Sequence, residues 1–482
     1  MRKPLLGQLD SLAAAAEPRC RDAAASSPDL QPFAPCSRPP ASFRAPCVAE
    51  QGGKTDGGAK KCECGGGDGP SRHFAVDRST NKMTLPTVQF RESGGGRGRG
   101  LFAEQAIRCG DKVMEEEAQY AQNDSDHVLA CDRCLAFVGP LAAQLGALAT
   151  ASGIPLDYDA TVAPLGELKL APAVPCSESG CNTVFCSAAC RDAALQDYHA
   201  AICAPRLPSD EAREALAWLS SHPSRKILLL GIVLQIVGAV AARSSNAEDV
   251  KKALEDIIGQ YHHTSITKLK LGAMGVSDIP EACTEFQGAT LVPAVAKLKT
   301  VFAAKPHVAD AITLEWLDNV IGMCSVNGRR VRIFSPCQAM LDHVSNPVTA
   351  AQMAMHPPTD EARRRFTVWA AVVARKLGLD GMPDVQGAGL MAKYSMMNHN
   401  CSPNIGPERI DPETGRRRPG EGIHAARGTV YALRDIAAGE ELFSCYIDPS
   451  LPVDERRGML KNGYGFDCLC ATCVGEMGSS TS

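Results

Sequence analysis

The chain lacks an apolar run long enough to span a membrane. Its longest, Ile227 to Ala242, is interrupted by Gln235 and falls short of the roughly 20 residues a span needs, so a buried helix is expected there. A basic excess is also missing. Lys and Arg number 50 against 54 Asp and Glu, for a net charge of -4, which argues against non-specific nucleic-acid binding. No leader with an apolar core opens the chain, so cysteines paired as in a secreted protein are not expected. Arg2, Lys3, Arg19 and Arg21 lie in an Ala-rich start, but Asp10, Glu17 and Asp22 argue against a transit peptide. Residues 1–84 are short of aromatics and rich in Ala, Pro, Ser and Gly. They are expected to form a disordered extension that cannot bury enough surface to offset chain entropy. Cys62-x-Cys64 within it has no further ligand pair nearby, so a metal site there is not expected.

What the chain has in abundance is cysteine, 21 residues in all. Cys131-x2-Cys134 is followed by Cys176-x4-Cys181, Cys186-x3-Cys190 and His199-x3-Cys203. Soft ligands in four pairs fill two tetrahedral zinc sites with none left over, and no open position remains for catalysis. The four-residue spacing of the last two pairs predicts that each shares a helix face. A third group, Cys468-x-Cys470-x2-Cys473, is one thiol short of a tetrahedral site. These metal spacings imply a reducing compartment.

The segment around which the rest is organised is Ser395-Met396-Met397-Asn398-His399-Asn400-Cys401-Ser402-Pro403-Asn404. It is poor helix and poor strand, yet dense in directional hydrogen bonders, which marks it as built around a ligand. Cys401 is the only thiol within it. As fourth ligand to the tail trio it would clamp the tail against Asn398-His399, and make Tyr464 and Phe466 walls of the pocket.

Elsewhere, strands are expected at Thr87–Arg91, at Phe102–Ile107 and Lys112–Glu116 around a turn at Cys109-Gly110-Asp111, and at Val331–Phe334, Thr429–Leu433 and Leu442–Tyr446. Gly94 to Gly100 is a flexible loop where backbone can approach a ligand, and it lacks the Gly-Lys-Ser/Thr of a phosphate loop. Residues 206–325 show helical periodicity over Glu211–Ser220, Lys226–Ala242, Ala247–Tyr261, Leu291–Ala303 and Ala311–Met323. His262 and His263 diverge by about 100° on a helix and are not expected to share a metal ion. Residues 335–360 read as irregular, followed by a helix over Asp360–Lys376. Asp454–Lys461 reads as a short helix, and the stretch from Cys134 to Cys176 as a surface excursion with room for a short helix.

The Gly-Arg-Gly-Arg-Gly-Leu opening, the paired cysteines, Asn-His-x-Cys-x-Pro-Asn, Gly-Glu-Glu-Leu followed by Tyr446, and Cys-x-Cys-x2-Cys together resemble the SET-and-MYND family of protein lysine methyltransferases. The likeness runs from about Phe90 to Cys473 and is strongest to the subgroup without a C-terminal helical-repeat domain. Asn400 stands where the family often has Ser.

The resemblance implies an α+β fold: a SET-domain β-fold with an inserted MYND zinc finger, a helical SET insert and a cysteine-rich post-SET tail. The implied layout is a first SET part at 85–126, MYND finger at 127–205, helical insert at 206–325, catalytic SET part at 326–450 and post-SET tail at 451–482. The zinc pairs interleave in the family, so Cys131, Cys134, Cys186 and Cys190 would form one site and Cys176, Cys181, His199 and Cys203 the second. Cys401, Cys468, Cys470 and Cys473 would form the third.

S-adenosylmethionine is assigned by the same resemblance to Arg97, Arg99, Asn327, Ser395, Asn398 and His399, with Phe466 near its adenine. Tyr446 would be the catalytic tyrosine, and Tyr464 its companion in the lysine channel. The expected partner is a protein with a target lysine, with MYND-mediated partners besides. A cytoplasmic or nuclear monomer is expected, with no membrane or nucleic-acid role. The rival reading is a catalytically inactive MYND scaffold.

Overall fold

The computed structural model describes residues 88–94, 97–163, 169–269, 290–345, 360–410, 417–419 and 426–479. The expected extension at 1–84, with Cys62 and Cys64, lies outside them.

The β part is a set of short sheets. A hairpin pairs Val88–Glu92 with Arg99–Ala103. One three-stranded antiparallel sheet places Arg427–Ala432 between Lys112–Glu117 and Ile405–Gly406. Another places Val385–Leu390 between Tyr120–Asn123 and Arg329–Ile333. Gly387 lies on this central strand because a side chain there would overlap the Gln122 carbonyl, 2.0 Å from where a Cβ would sit. Leu101, Ile107, Val113, Val331, Val385, Met397, Ile405, Val430 and Leu442 close one core among these sheets. Asn398–His399 runs parallel to Phe443–Ser444, which brings the organising segment beside Tyr446. The strand expected over Leu442–Tyr446 is limited to Phe443–Ser444: the Leu442 amide bonds the Leu101 carbonyl instead, and the Tyr446 amide bonds the His399 side chain.

Helices Asp210–Ser221, Leu230–Arg243, Ala247–Ile258, Val292–Val301 and Leu314–Asn327 build a second core. The helix Leu230–Arg243 is apolar on every side and is buried on every side. Gln235, the polar interruption in that run, donates to the Ala121 carbonyl at 2.8 Å and accepts from the Ala121 amide at 3.0 Å. It completes the hydrogen bonding of a sheet edge. The helix expected from Lys226 is split at Leu229, which takes a left-handed φ of 51°, and the Gly231 amide bonds Gln122 Oε1 instead of continuing the turn. No helix among the described residues is long and apolar enough to cross a membrane.

Two expectations fail between the cores. Residues 335–360 are not irregular throughout: Pro336–Ser345 is a helix, with proline at its first position and Cys337 and Met340 buried three apart. The stretch after Cys134 has the short helix that was allowed for, but not at the surface. It holds the helix Leu141–Ser152, whose Leu141, Leu145 and Leu148 are buried at helical spacing. They pack with Phe366, Ala370 and Val373 of the helix Asp360–Leu377 in a third core. Leu145 is fully buried, so Leu145→Ala should cost about 2–5 kcal/mol. Chemical denaturation will check this; a loss under about 0.5 kcal/mol, the range for surface positions, would show that this helix is not core.

Candidate active site and metal centres

Asn404 shows how the organising segment is held. It is fully buried. Its amide donates to the Glu441 carbonyl at 2.8 Å and to Glu440 Oε1 at 3.1 Å, while its Oδ1 accepts from the Phe443 amide at 2.7 Å. Six residues earlier, Asn398 donates to Glu441 Oε1 at 2.8 Å and to the Arg99 carbonyl at 3.2 Å. Both ends of the segment are therefore fastened to the Gly-Glu-Glu-Leu turn.

Glu441 is a hub that sequence reasoning missed, because a Gly-Glu-Glu run reads as an exposed turn. Its carboxylate is largely buried and accepts from Ser93 Oγ at 2.7 and 2.8 Å, from Asn398, and from Arg97 at 3.4 Å. Gly100 is glycine for this reason: a Cβ there would sit 2.6 Å from Glu441 Oε1 and 3.1 Å from Asn398 Nδ2. Arg97 also lies 5.3 Å over the Phe443 ring. Arg99 donates to the Gln260 carbonyl at 2.6 Å. Glu441→Gln keeps the shape but removes the charge that orders three donors. At the pocket that the resemblance assigns to S-adenosylmethionine, affinity for that cofactor should fall about tenfold, the scale of one charged hydrogen bond. Calorimetry giving an unchanged Kd would remove Glu441 from this role.

Asn327 and Ser395 are brought together, but their side chains are spent on backbone. Asn327 Nδ2 donates to the His262 and Met323 carbonyls, both at 2.8 Å. Ser395 Oγ donates to the Met391 carbonyl at 2.7 Å and to the Asn327 carbonyl at 3.1 Å. They lock the end of the helix Leu314–Asn327 to the short helix Ala392–Ser395. His262 and His263 are exposed and, among the described residues, share no cluster of metal-binding groups.

The aromatic group is compact. Tyr446 Oη donates to the Met397 carbonyl at 2.6 Å. The Tyr446 amide donates to His399 Nδ1 at 3.1 Å, which makes that nitrogen an acceptor. The other ring nitrogen faces Cys401 Sγ at 3.3 Å. Burial, and secondarily the nearby Arg456 cation, pushes the His399 pKa down to about 4, so the ring is neutral at physiological pH. Ring centroids of Tyr446 and Tyr464 are 4.9 Å apart, those of Tyr446 and Phe466 6.4 Å, and those of His399 and Phe466 6.0 Å. Burial raises the Tyr446 hydroxyl well above its usual range, helped by Tyr464. The phenol stays protonated and is not a base at neutral pH. Arg329 is a further neighbour that periodicity did not single out; its guanidinium lies 4.0 Å over the Tyr394 ring.

Three groups of soft ligands converge. Ligand atoms lie within 4.8 Å of one another in each of Cys131/Cys134/Cys186/Cys190, Cys176/Cys181/His199/Cys203 and Cys401/Cys468/Cys470/Cys473. Tetrahedral zinc at about 2.3 Å per thiolate sets sulfurs about 3.8 Å apart. Cys134–Cys186, Cys186–Cys190, Cys176–Cys203 and Cys401–Cys473 measure 3.5, 3.4, 4.0 and 3.5 Å, and Cys181 Sγ to His199 Nε2 is 3.6 Å. The donor sets fit zinc. The helix faces expected for two pairs are incomplete, because Cys186 precedes the N-cap Ser187 and Cys203 ends its helix in extended backbone. Tyr198 ties the first two groups together by donating to Asp132 at 3.2 Å.

A family model of the SET domain matches residues 98–447. The chain therefore belongs to the SET-domain family. Over 486 aligned positions it is 23% identical to the histone-lysine N-methyltransferase ATXR2 of Arabidopsis thaliana, covering 84% of this chain and 98% of that protein. It is 23% identical over 403 residues to the protein-lysine N-trimethyltransferase SMYD5 of Homo sapiens, covering 81% and 87%. A shorter stretch of 87 residues is 36% identical to human histone-lysine N-methyltransferase SMYD3, covering 18% and 17%. Within the family these relatives place the chain among the SET-and-MYND lysine methyltransferases, and its activity is protein-lysine methylation.

Proposed function

We propose that residues 85–126 and 326–450 form the two SET parts, 127–205 a MYND finger, 206–325 a helical insert and 451–482 a post-SET tail. Three zinc ions hold this layout, one in each soft-ligand group. All four positions at each are taken by protein, so the ions are structural.

Bound S-adenosylmethionine supplies an electrophilic methyl group on a sulfonium. Arg97, Arg99, Asn398 and His399 surround its pocket, Asn327 and Ser395 brace the pocket from behind, and Phe466 offers an aromatic face. Transfer to an amine is an in-line displacement, so alignment supplies most of the rate. Tyr446 spends its one proton on Met397, which leaves both oxygen lone pairs for the reacting centre. That single hydrogen bond, in a cage of Tyr464, Phe466 and His399, carries the reading. Free lysine has a pKa of about 10.4, and a dry aromatic channel disfavours its charged form.

The substrate is a lysine side chain on another protein. The groove for it is floored by the helical insert. We place the enzyme in the cytoplasm or nucleus as a monomer, with the finger available to a protein partner. Transfer of radiolabelled methyl from S-adenosylmethionine to protein in a cell extract tests the enzyme reading. No transfer by zinc-loaded protein would favour the inactive scaffold. Methyl-proteomics with and without the protein names the substrate; lost marks on residues other than lysine would overturn the substrate class.

A further inference from the structure

Arg456 lies on the helix Val453–Tyr464 and is 3% exposed. A buried guanidinium needs anions and acceptors to offset its lost hydration. Nη1 has the Leu451 carbonyl at 2.5 Å and the Pro449 carbonyl at 3.4 Å. Nη2 has Glu476 at 2.8 Å and faces Cys473 Sγ at 3.8 Å, while Nε has no partner among the described residues. The only carboxylate paired with it among the described residues, Glu476, is 46% exposed. One half-solvated carboxylate is a weak counter-ion for so buried a cation. The sulfurs beside it supply the rest. Four thiolates around a divalent ion leave a net charge of about -2, which a low-dielectric site must offset.

We propose that Arg456 is the counter-cation of the Cys401/Cys468/Cys470/Cys473 centre and a positioning residue for the aromatic cage. The proposal rests on the reading that this centre holds zinc. The connection to the cage is short. Arg456 and Leu460 share the helix that ends at Tyr464, Gly465 turns with a left-handed φ of 78°, and Phe466 and Cys468 follow. Leu460, Tyr446, Tyr464 and Phe466 pack with the cysteines in one cluster. Guanidinium and thiolates thus pin the same helix that places two cage walls.

The test uses full-length, zinc-loaded wild type, Arg456→Met, Arg456→Lys and Glu476→Gln. A chelator titration reads zinc release colorimetrically, and calorimetry reads S-adenosylmethionine binding. Wild type should hold three ions. Arg456→Met, which keeps the unbranched stem but removes the charged guanidinium, should lose one ion or release it about tenfold to a hundredfold faster, with the other two unchanged. S-adenosylmethionine should bind more weakly in the same variant. Arg456→Lys restores charge and should recover most of the retention. Glu476→Gln leaves the guanidinium facing the thiolates and should keep three ions. Wild-type release from Arg456→Met would overturn the proposal, as would equal loss in the Met and Lys variants, which would indicate packing rather than charge. Should Arg456→Met fail to fold, Arg456→Lys decides: near-wild-type retention supports the proposal and loss of one ion overturns it. A wild type holding only two ions would sink the zinc reading itself, a result separate from any effect of Arg456.

Discussion

Tyr446→Phe should lower methyl transfer by about tenfold to a thousandfold at saturating S-adenosylmethionine, the range for losing one positioned transition-state contact. The substitution removes one oxygen and little volume. The ring keeps its contacts with Tyr464, Phe466 and His399, so the fold should survive. What disappears is the oxygen held 2.6 Å from the Met397 carbonyl. That carbonyl is left without its donor, and the melting temperature should fall by a few degrees, as for about 1 kcal/mol. Two effects must be separated. A purely structural tyrosine would lose stability and keep turnover. A catalytic one would lose turnover with cofactor affinity nearly intact. Equal turnover in the two proteins, with matched zinc content, would show that the Met397 bond is all the hydroxyl does.

The parts of this site legible in the sequence were those whose chemistry is local. Cysteine pairs at short spacing announce metal-binding groups wherever they fold, and three tail thiols require a fourth, which only Cys401 supplied from the organising segment. The helical insert was legible because apolar periodicity over a dozen residues survives tertiary packing, as in Asp210–Ser221 and Leu314–Asn327. Illegible features depend on partners distant in the chain. Glu441 is buried because Ser93, Arg97 and Asn398 converge on it from 43 to 348 residues away. Arg456 is buried among partners on either side of its helix, the Leu451 carbonyl before it and Cys473 and Glu476 after it. The helix Leu141–Ser152 was expected at most as part of a surface excursion, because its Ala and Gly content hides a Leu141/Leu145/Leu148 stripe that helices Asp360–Leu377 and Pro336–Ser345 cover. Leu229 was missed because its break is imposed by Gln122, not by a local breaker. Ser395 and Asn327 show the converse: two polar side chains that the resemblance assigns to cofactor use their hydrogen bonds on backbone carbonyls.

Cys401→Ser joins these strands of argument, because one sulfur serves two structures. It is a ligand candidate of the tail centre, 3.5 Å from Cys473, and it faces His399 at 3.3 Å across from the nitrogen that takes the Tyr446 amide. A serine hydroxyl is a poor zinc ligand, being protonated at neutral pH and hard where thiolate is soft. The tail ion should be lost, and zinc content by elemental analysis should fall from three per chain to two. Without the ion, the helix Ala471–Ser479, which carries Cys473, loses its tie to the organising segment, and the walls at Tyr464 and Phe466 lose their anchor. Methyl transfer should fall by at least a hundredfold and S-adenosylmethionine affinity with it, since cage and centre form one packed cluster. Cys131→Ser separates this from a general effect of zinc loss: it strikes a centre packed on the helical core and should spare cofactor affinity in whatever fraction stays folded. A Cys401→Ser protein that retains three zinc ions would remove Cys401 from the ligand set. One that loses an ion yet methylates at the wild-type rate would show that the tail does not support the cage.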